Sequence, residues 1–293
     1  MLKCRISRLI LFVLVVFAFQ KPLSLYSEHI NGFADNKGVK IHYFGEQMDS
    51  KAPTLVFIPG ITMPGWIWEK QLKYFSDHYS VIAIDPRSQG ESTQTTDGQY
   101  HESRASDIKA VVDQLHLKKV ILIGWSLGVG EVISYVHQYG TDNVAGIVLV
   151  DGFAGFDPGS IMFNMMVDYW SQFQIDRPVK NRNFVTGMFK HQQDDDYINR
   201  LNESTLRMPT TTMMALIYNF ILRDQRSFLS EINVPALIVG INAPWLDNMK
   251  EIQRLIPNSQ LAVIEDANHA AFVDQPEKFN MALEKFISNI PLR

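Results

Sequence analysis

Short runs of apolar residues recur along this chain, and segments with helical spacing lie between them. A run of four or five apolar residues without polar alternation is typical of a strand covered on both faces, as in a parallel sheet. Six such runs occupy residues 54–58, 81–84, 120–123, 146–150, 236–239 and 261–264. Helical patterns over 102–115 and 131–139 lie between them, so we predict an α/β fold with a mostly parallel, doubly wound sheet. Residues 39–44 alternate between apolar and polar side chains, which predicts a half-exposed antiparallel strand at the sheet edge.

This alternation is interrupted between about residues 153 and 231, where no strand pattern is found. The interval is rich in methionine and aromatic residues, and we interpret it as helices inserted after the strand that ends at Val150. Most of these side chains are expected to pack the insertion onto the body of the protein. A few are expected to line an apolar pocket, because methionine adapts to irregular shapes. We therefore expect a small-molecule substrate with an apolar moiety.

The N-terminus differs in kind from the rest of the chain. Lys3, Arg5 and Arg8 precede an uninterrupted apolar run over residues 9–19. This run covers about half of the ~20 residues that a membrane-spanning helix needs, and the arrangement is typical of a secretory signal peptide. We assign residues 1–25 to a signal peptide and expect a secreted or periplasmic protein. An uncleaved N-terminal membrane anchor is the alternative, because the residues after the apolar run offer no clear cleavage site.

Charge and cysteine content argue against several classes of function. The net charge is −4 and no basic cluster follows the N-terminus, so we expect no nucleic-acid partner. The only cysteine, Cys4, lies within the predicted signal peptide, which leaves no thiol for catalysis, disulfide formation or metal binding in the rest of the chain. No pair of histidines has metal-ligand spacing with nearby carboxylates, and we expect neither a metal nor another cofactor.

The strongest motif is Gly124-Trp125-Ser126-Leu127-Gly128, which fits G-x-S-x-G and directly follows the apolar run at 120–123. A helical pattern comes next, so the serine is predicted to lie in a tight turn between a strand and a helix. Glycines two positions on either side remove Cβ atoms that would collide in such a turn. The N-terminus of the following helix also favours negative charge that develops on a substrate. Ser126 is therefore the candidate nucleophile.

A candidate general base follows the last apolar run, in the segment EDANHAAF at 265–272. A helix with Pro276 in its first turn is predicted just downstream. The histidine of this segment, His269, comes after Ser126 in the chain and after the final predicted strand. This order makes His269 the candidate general base toward Ser126.

These segments together resemble the α/β-hydrolase fold superfamily, in particular serine esterases, lipases and perhydrolases of the AB hydrolase-1 type. The resemblance covers one domain over residues 26–293, with a helical lid at about 153–231 inserted after the sixth strand. It implies that the backbone N–H groups of Ile61 and Leu127 form the oxyanion hole. Pro59 stands where members of the family usually have histidine, which removes a structural hydrogen bond but not the donor at Ile61.

The resemblance also gives a meaning to a second turn, Asp85-Pro-Arg-Ser-Gln-Gly-Glu-Ser92. It is similar to the Asp-x-Arg-Gly-x-Gly-x-Ser turn of the family. We expect Asp85 and Arg87 to tie loops together and assign them no part in catalysis.

The carboxylate that completes a serine–histidine pair is missing from its usual place. It orients the imidazole and stabilises its charged form, and in most of this family it follows the strand at 236–239. Ala243 occupies that position. Asp151, at the end of the run 146–150, is our first candidate for a replacement, and Asp247 is the second. Asn242 is a third candidate that would orient the ring without balancing its charge, and a site with no third member is also open.

The sequence leads to one main hypothesis about function and two alternatives. By resemblance, we expect a serine hydrolase that cleaves a carboxylic ester or related acyl bond through Ser126, His269 and a carboxylate. The vacant position at Ala243 is the best support for a non-catalytic binding protein with the same fold. A cofactor-free haloperoxidase-like activity would use the same residues as the hydrolase.

Overall fold

The computed structural model describes residues 27–48 and 52–291, so the predicted signal peptide or anchor at 1–25 lies outside the described residues. Within the described ranges the chain forms one sheet of eight strands. In chain order the strands are β1 (Ser27–Asn36), β2 (Val39–Met48), β3 (Thr54–Ile58), β4 (Val81–Ile84), β5 (Val120–Trp125), β6 (Val144–Val150), β7 (Ala236–Ile241) and β8 (Ser259–Ile264).

Helices cover this sheet and fill the interval between β6 and β7. The α-helices are α1 (Glu69–Phe75), α2 (His101–Gln114), α3 (Leu127–Tyr139), α4 (Ile161–Ser171), α5 (Arg177–Gly187), α6 (Asp195–Leu206), α7 (Thr210–Leu222), α8 (Leu246–Leu255), α9 (Ala271–Asp274) and α10 (Pro276–Ser288). Short 3₁₀ helices occur at Gly65–Trp68, Gln172–Gln174 and Arg226–Glu231.

The strand order is β1-β2-β4-β3-β5-β6-β7-β8. β1 pairs with β2 and β2 pairs with β4 in antiparallel fashion, whereas all pairs from β4 to β8 are parallel. The residues of β3, β4 and β5 are buried throughout, as expected of parallel strands covered on both faces. The predicted fold class, a mostly parallel sheet with helices inserted after the sixth strand, is confirmed.

The prediction for residues 39–44 was right about the strand but wrong about its place in the sheet. These residues form part of β2, which lies between β1 and β4 and is not at the edge. The strand at this edge of the sheet is β1, whose sequence SEHINGFADN is too polar to be recognised as a strand by its apolar residues. Most of β1 is exposed, so little hydrophobic patterning is required of it.

The insertion after β6 consists of helices α4 to α7 and packs on the body of the protein. Many of its large apolar side chains are buried in one continuous core, as expected, including Trp170, Phe173, Phe184, Met188, Phe189, Met213, Met214 and Phe220. Others, such as Met165 and Tyr169, are exposed on α4. Within the described part of the chain, no helix is both long and apolar enough to cross a membrane.

The parallel strands bring four loops to one edge of the sheet. β5 to β8 are consecutive neighbours, so their carboxyl ends lie side by side. Ser126 directly follows β5 and Asp151 directly follows β6, whereas Ala243 and His269 lie in the loops after β7 and β8. Residues far apart in the sequence are thereby placed within reach of one another at this edge, where ligands bind in open α/β sheets.

A fully buried ion pair anchors the helices beneath this edge. Nε of Arg104 in α2 donates to Oε1 of Glu131 in α3 at 2.5 Å, and neither side chain is exposed. The remaining guanidinium nitrogens donate to the carbonyl oxygen of Arg87 at 2.9 Å and to Oε1 of Gln89 at 2.7 Å. Arg104 therefore joins α2, α3 and the turn that begins at Asp85, a turn that the sequence analysis expected to tie loops together.

We predict that breaking this ion pair destabilises the fold strongly. Arg104→Met leaves the Glu131 carboxylate buried without a counter-charge, and about 3–5 kcal/mol of the free energy of unfolding should be lost. Adding Glu131→Leu should recover part of that loss, because the unpaired charge is then removed. Urea unfolding measures both effects. The control is Lys109→Met, which breaks the exposed pair of Lys109 with Asp113 and should cost about 1 kcal/mol or less. Equal losses of stability in Arg104→Met and Lys109→Met would contradict this prediction.

Candidate active site

Ser126 lies in a strained turn between β5 and α3. Its backbone has φ 56° and ψ −117°, a conformation that residues other than glycine rarely adopt. A Cβ at Gly124 would lie 2.3 Å from the carbonyl oxygen of Gly128, and a Cβ at Gly128 would lie 2.9 Å from that of Ile58. A side chain at either position would therefore collide with the backbone, so both positions require glycine. The turn is held by a hydrogen bond of 2.9 Å from the N–H of Ser126 to the carbonyl oxygen of Val150 at the end of β6.

His269 lies beside Ser126, in the loop between β8 and α9. Its Nε2 is 2.9 Å from Oγ of Ser126. The carbonyl oxygen of His269 accepts a hydrogen bond of 2.8 Å from Nε1 of Trp125, the residue before the serine. The indole and imidazole rings of this pair also contact each other, with centroids 5.1 Å apart. Trp125 therefore fixes the histidine loop against the serine turn.

Asp151 completes a continuous line of hydrogen bonds. Its Oδ2 is 2.7 Å from Nδ1 of His269, and the Asp151 side chain is fully buried. An ionised carboxylate only accepts hydrogen bonds, so Nδ1 of the imidazole carries the proton. Nε2 of the neutral ring is then free to accept the proton of the Ser126 hydroxyl. The backbone of Asp151 has φ 41° and is held by a 2.8 Å hydrogen bond from its N–H to the carbonyl oxygen of Val239 in β7.

The other candidates for the acid do not reach His269. Asp247 lies in the first turn of α8, where its side chain is 86% exposed and pairs with Lys250 at 2.8 Å. Asn242 is exposed, and its nearest partner is Oε2 of Glu265 at 3.5 Å. Of the three candidate replacements, Asp151 alone is brought to the imidazole.

The loop predicted to form the oxyanion hole passes directly beside the serine. A Cβ added at Gly60 would lie 3.0 Å from Cβ of Ser126 and 3.4 Å from its Oγ, so a larger residue would crowd the hydroxyl. The next residue, Ile61, is buried. Leu127 is the first residue of α3, where a backbone N–H has no intrahelical acceptor. Within the described ranges, neither the Ile61 nor the Leu127 N–H has a hydrogen-bond acceptor.

Gln89 holds this loop in place. Its Nε2 donates to the carbonyl oxygens of Gly60 and Met63 at 3.0 and 2.7 Å, and its Oε1 accepts from the N–H of Thr62 at 3.1 Å. Thr62 has a positive φ of 61°, so the loop adopts a conformation that needs such support. Gln89 was not recognised from the sequence, although it lies within the turn at 85–92. Only the fold reveals that this turn packs against the loop after β3.

Trp245 is the second residue that the sequence analysis did not identify. Its Nε1 is 3.2 Å from Oδ1 and 3.3 Å from Oδ2 of Asp151. It lies two residues after Ala243, in the loop where the acid was expected, so its position indicated a place near the site. The sequence did not indicate that its partner is Asp151.

No arrangement for a metal ion is seen at the site. Over residues 27–48 and 52–291, no three histidine, cysteine, aspartate or glutamate side chains are grouped so that they could hold one. The polar side chains of the site are instead bonded to one another. Such a line of hydrogen bonds from carboxylate to imidazole to hydroxyl makes a serine nucleophilic, because the imidazole takes its proton as the new bond forms.

Comparison with known proteins yields a consistent group of relatives. A family model described as "alpha/beta hydrolase fold" matches residues 53–276. A non-heme chloroperoxidase of Kitasatospora aureofaciens is 25% identical over 80% of this chain and 92% of its own length. A bifunctional esterase/perhydrolase of Acinetobacter calcoaceticus is 37% identical over a shorter stretch, 34% of this chain and 36% of its own. The crystal structure of a bromoperoxidase from Bacillus anthracis superposes with a TM-score of 0.81 at 25% identity and covers 89% of this chain and 100% of that one.

We predict that Asp151 and Asp247 differ sharply when each is replaced by asparagine. Asp151→Asn removes the charge beside His269, and kcat for a p-nitrophenyl ester should fall on the order of 10⁴-fold, as on loss of the carboxylate in serine proteases. Asp247→Asn, the matched control on an exposed side chain, should stay within about twofold of the unaltered protein. Equal and small losses in both variants would contradict the assignment of Asp151.

Proposed function

This chain belongs to the alpha/beta hydrolase fold family, and on that basis we propose that it is a serine hydrolase that cleaves a carboxylic ester or related acyl bond. The observation that carries the proposal is the line of hydrogen bonds at the sheet edge. It runs from Asp151 Oδ2 to His269 Nδ1 at 2.7 Å and from His269 Nε2 to Ser126 Oγ at 2.9 Å. A nucleophile, a base and a group that orients the base are the parts that acyl transfer to serine requires.

In the proposed first half-reaction, Ser126 Oγ attacks the carbonyl carbon of the substrate. His269 takes the hydroxyl proton, and the Asp151 carboxylate stabilises the imidazolium that forms. The carbonyl oxygen gains negative charge and becomes an oxyanion. His269 then returns the proton to the leaving alcohol as the C–O bond breaks, and the acyl group remains on Ser126.

In the second half-reaction, water takes the place of the alcohol. His269 removes a proton from water as its oxygen attacks the acyl carbon, and the same proton is given back to Ser126 Oγ when the acyl–serine bond breaks. The products are the carboxylic acid and the free enzyme. No redox partner is needed at any step.

The oxyanion of both half-reactions would be bound by backbone N–H groups of Ile61 and Leu127. Their lack of other acceptors within the described ranges supports this role. Such donors are effective because they are fixed before the charge develops, and the loop that carries Ile61 is fixed by Gln89.

A cofactor-free haloperoxidase-like activity is a second candidate, favoured by the names of the relatives. In that reaction hydrogen peroxide, in place of water, attacks the acyl group on Ser126. A peroxide oxygen bonds to the acyl carbon while the acyl–serine bond breaks, and His269 passes the peroxide proton to Ser126 Oγ. The product is a peroxycarboxylic acid, which oxidises halide in solution. The same residues serve both reactions, so the two activities are compared directly by measuring peracid and carboxylic acid from one ester with and without peroxide.

We predict that a fluorophosphonate probe labels the folded protein on Ser126. The phosphorus should be attacked only by a serine whose proton is accepted by a base, so intact-mass and peptide analysis should find one adduct, at this residue. Ser126→Ala should give none, and His269→Asn should slow labelling strongly while the fold is kept. A folded protein that forms no adduct would instead support a non-catalytic binding protein of the same fold.

A further inference from the structure

The loop after β7 lacks the expected acid but brings an indole to the same place. The N–H of Ala243 donates to the carbonyl oxygen of Ile241 at 2.9 Å, and that of Leu246 donates to the carbonyl oxygen of Ala243 at 3.0 Å. The chain therefore turns tightly before α8 begins. This turn directs Trp245 toward the end of β6, where its Nε1–H lies 3.2 and 3.3 Å from the two carboxylate oxygens of Asp151.

The carboxylate of Asp151 needs a second donor. Its side chain is fully buried, and a buried charge without hydrogen bonds is strongly disfavoured. His269 serves Oδ2 alone. The backbone N–H groups of Asp151 and Gly152 donate elsewhere, to a carbonyl oxygen of β7 and to a sulfur atom of α8. In the part of the chain that the structure describes, Trp245 is therefore the only hydrogen-bond donor to Oδ1.

We propose that Trp245 is a positioning residue for the acid of the site: its indole N–H holds the Asp151 carboxylate so that Oδ2 faces Nδ1 of His269. The inference rests on the proposed function, because it assigns Trp245 a part in stabilising the imidazolium of that reaction. Without the indole N–H, the carboxylate is held by His269 alone and is less restricted in its rotation about the Cβ–Cγ bond. The acid of this site therefore follows β6, and the loop after β7, where the resemblance placed the acid, supplies the indole that orients it.

Loss of this donor should lower kcat and leave KM almost unchanged. The orientation of the carboxylate matters most when the imidazole is charged, which happens in the transition state and not in the substrate complex. One hydrogen bond to a charged group corresponds to a factor of roughly 10 to 100 in rate. A residue that only fills space near the substrate would change KM as well.

Two substitutions separate the N–H from the bulk of the indole. Trp245→Phe keeps most of the aromatic volume and loses the donor, whereas Trp245→His loses volume but keeps a ring N–H at the corresponding position of a five-membered ring. Trp170→Phe is the matched control, because Trp170 is buried in α4 and its Nε1 has no partner within the described ranges. The measurements are kcat and KM for a p-nitrophenyl ester, with circular dichroism to confirm folding.

The expected order is that Trp245→Phe loses roughly 10- to 100-fold in kcat with KM within about twofold, while Trp245→His and Trp170→Phe stay within a few-fold of the unaltered protein. The proposal is overturned if the His variant is as impaired as the Phe variant or worse, or if KM accounts for the loss. If the Phe variant does not fold, the activity of the His variant alone tests the proposal: a loss of more than a few-fold in its kcat overturns it.

Failure of the proposed function can be distinguished from failure of this inference. An unaltered protein with no turnover and no fluorophosphonate adduct would refute the proposed function itself. Normal turnover of the unaltered protein, together with an unimpaired Phe variant, would refute this inference alone.

Discussion

The buried carboxylate of Asp151 is the group on which the rest of the site depends. A buried charge is stable only if hydrogen-bond donors contact it. His269 and Trp245 supply these donors to Asp151 from the loops after β8 and β7. The carboxylate in turn fixes the proton on Nδ1 of the imidazole. This leaves Nε2 free to accept from Ser126, so the buried charge sets the direction of every hydrogen bond in the line.

The register of three parallel strands sets the distances in this line. Ser126 and Asp151 both directly follow a strand and both have positive φ values, 56° and 41°. Each is held by its own N–H, which donates to a carbonyl oxygen of the next strand. The acceptor is Val150 of β6 for the serine and Val239 of β7 for the aspartate. The strain at these two residues is therefore balanced by the sheet, and a shift of one strand would move the nucleophile or the acid away from His269.

The fold was predictable because its signals are local and repeated. Continuous apolar runs mark the parallel strands, and the inserted helices follow from the loss of that pattern between β6 and β7. The edge strand β1 was missed since a mostly exposed strand needs few apolar residues, and β2 was wrongly placed at the edge as a consequence.

The site was predictable only in part, for a related reason. Ser126 and His269 lie in short patterns that can be read without knowledge of distant contacts. The choice between Asp151 and Asp247 depends on which way α8 turns its first residues, and no local pattern contains that information. The same holds for Gln89 and Trp245, whose importance comes from the distant groups that they contact.

The most direct test of this account is the proton resonance of Nδ1–H of His269. A proton held between an imidazole and a buried carboxylate is shielded from exchange with water and resonates far downfield of the amide protons. We predict that this resonance is present in the unaltered protein and is lost or moved strongly upfield in Asp151→Asn. An unchanged downfield resonance in that variant would contradict the claim that Asp151 is the partner of His269.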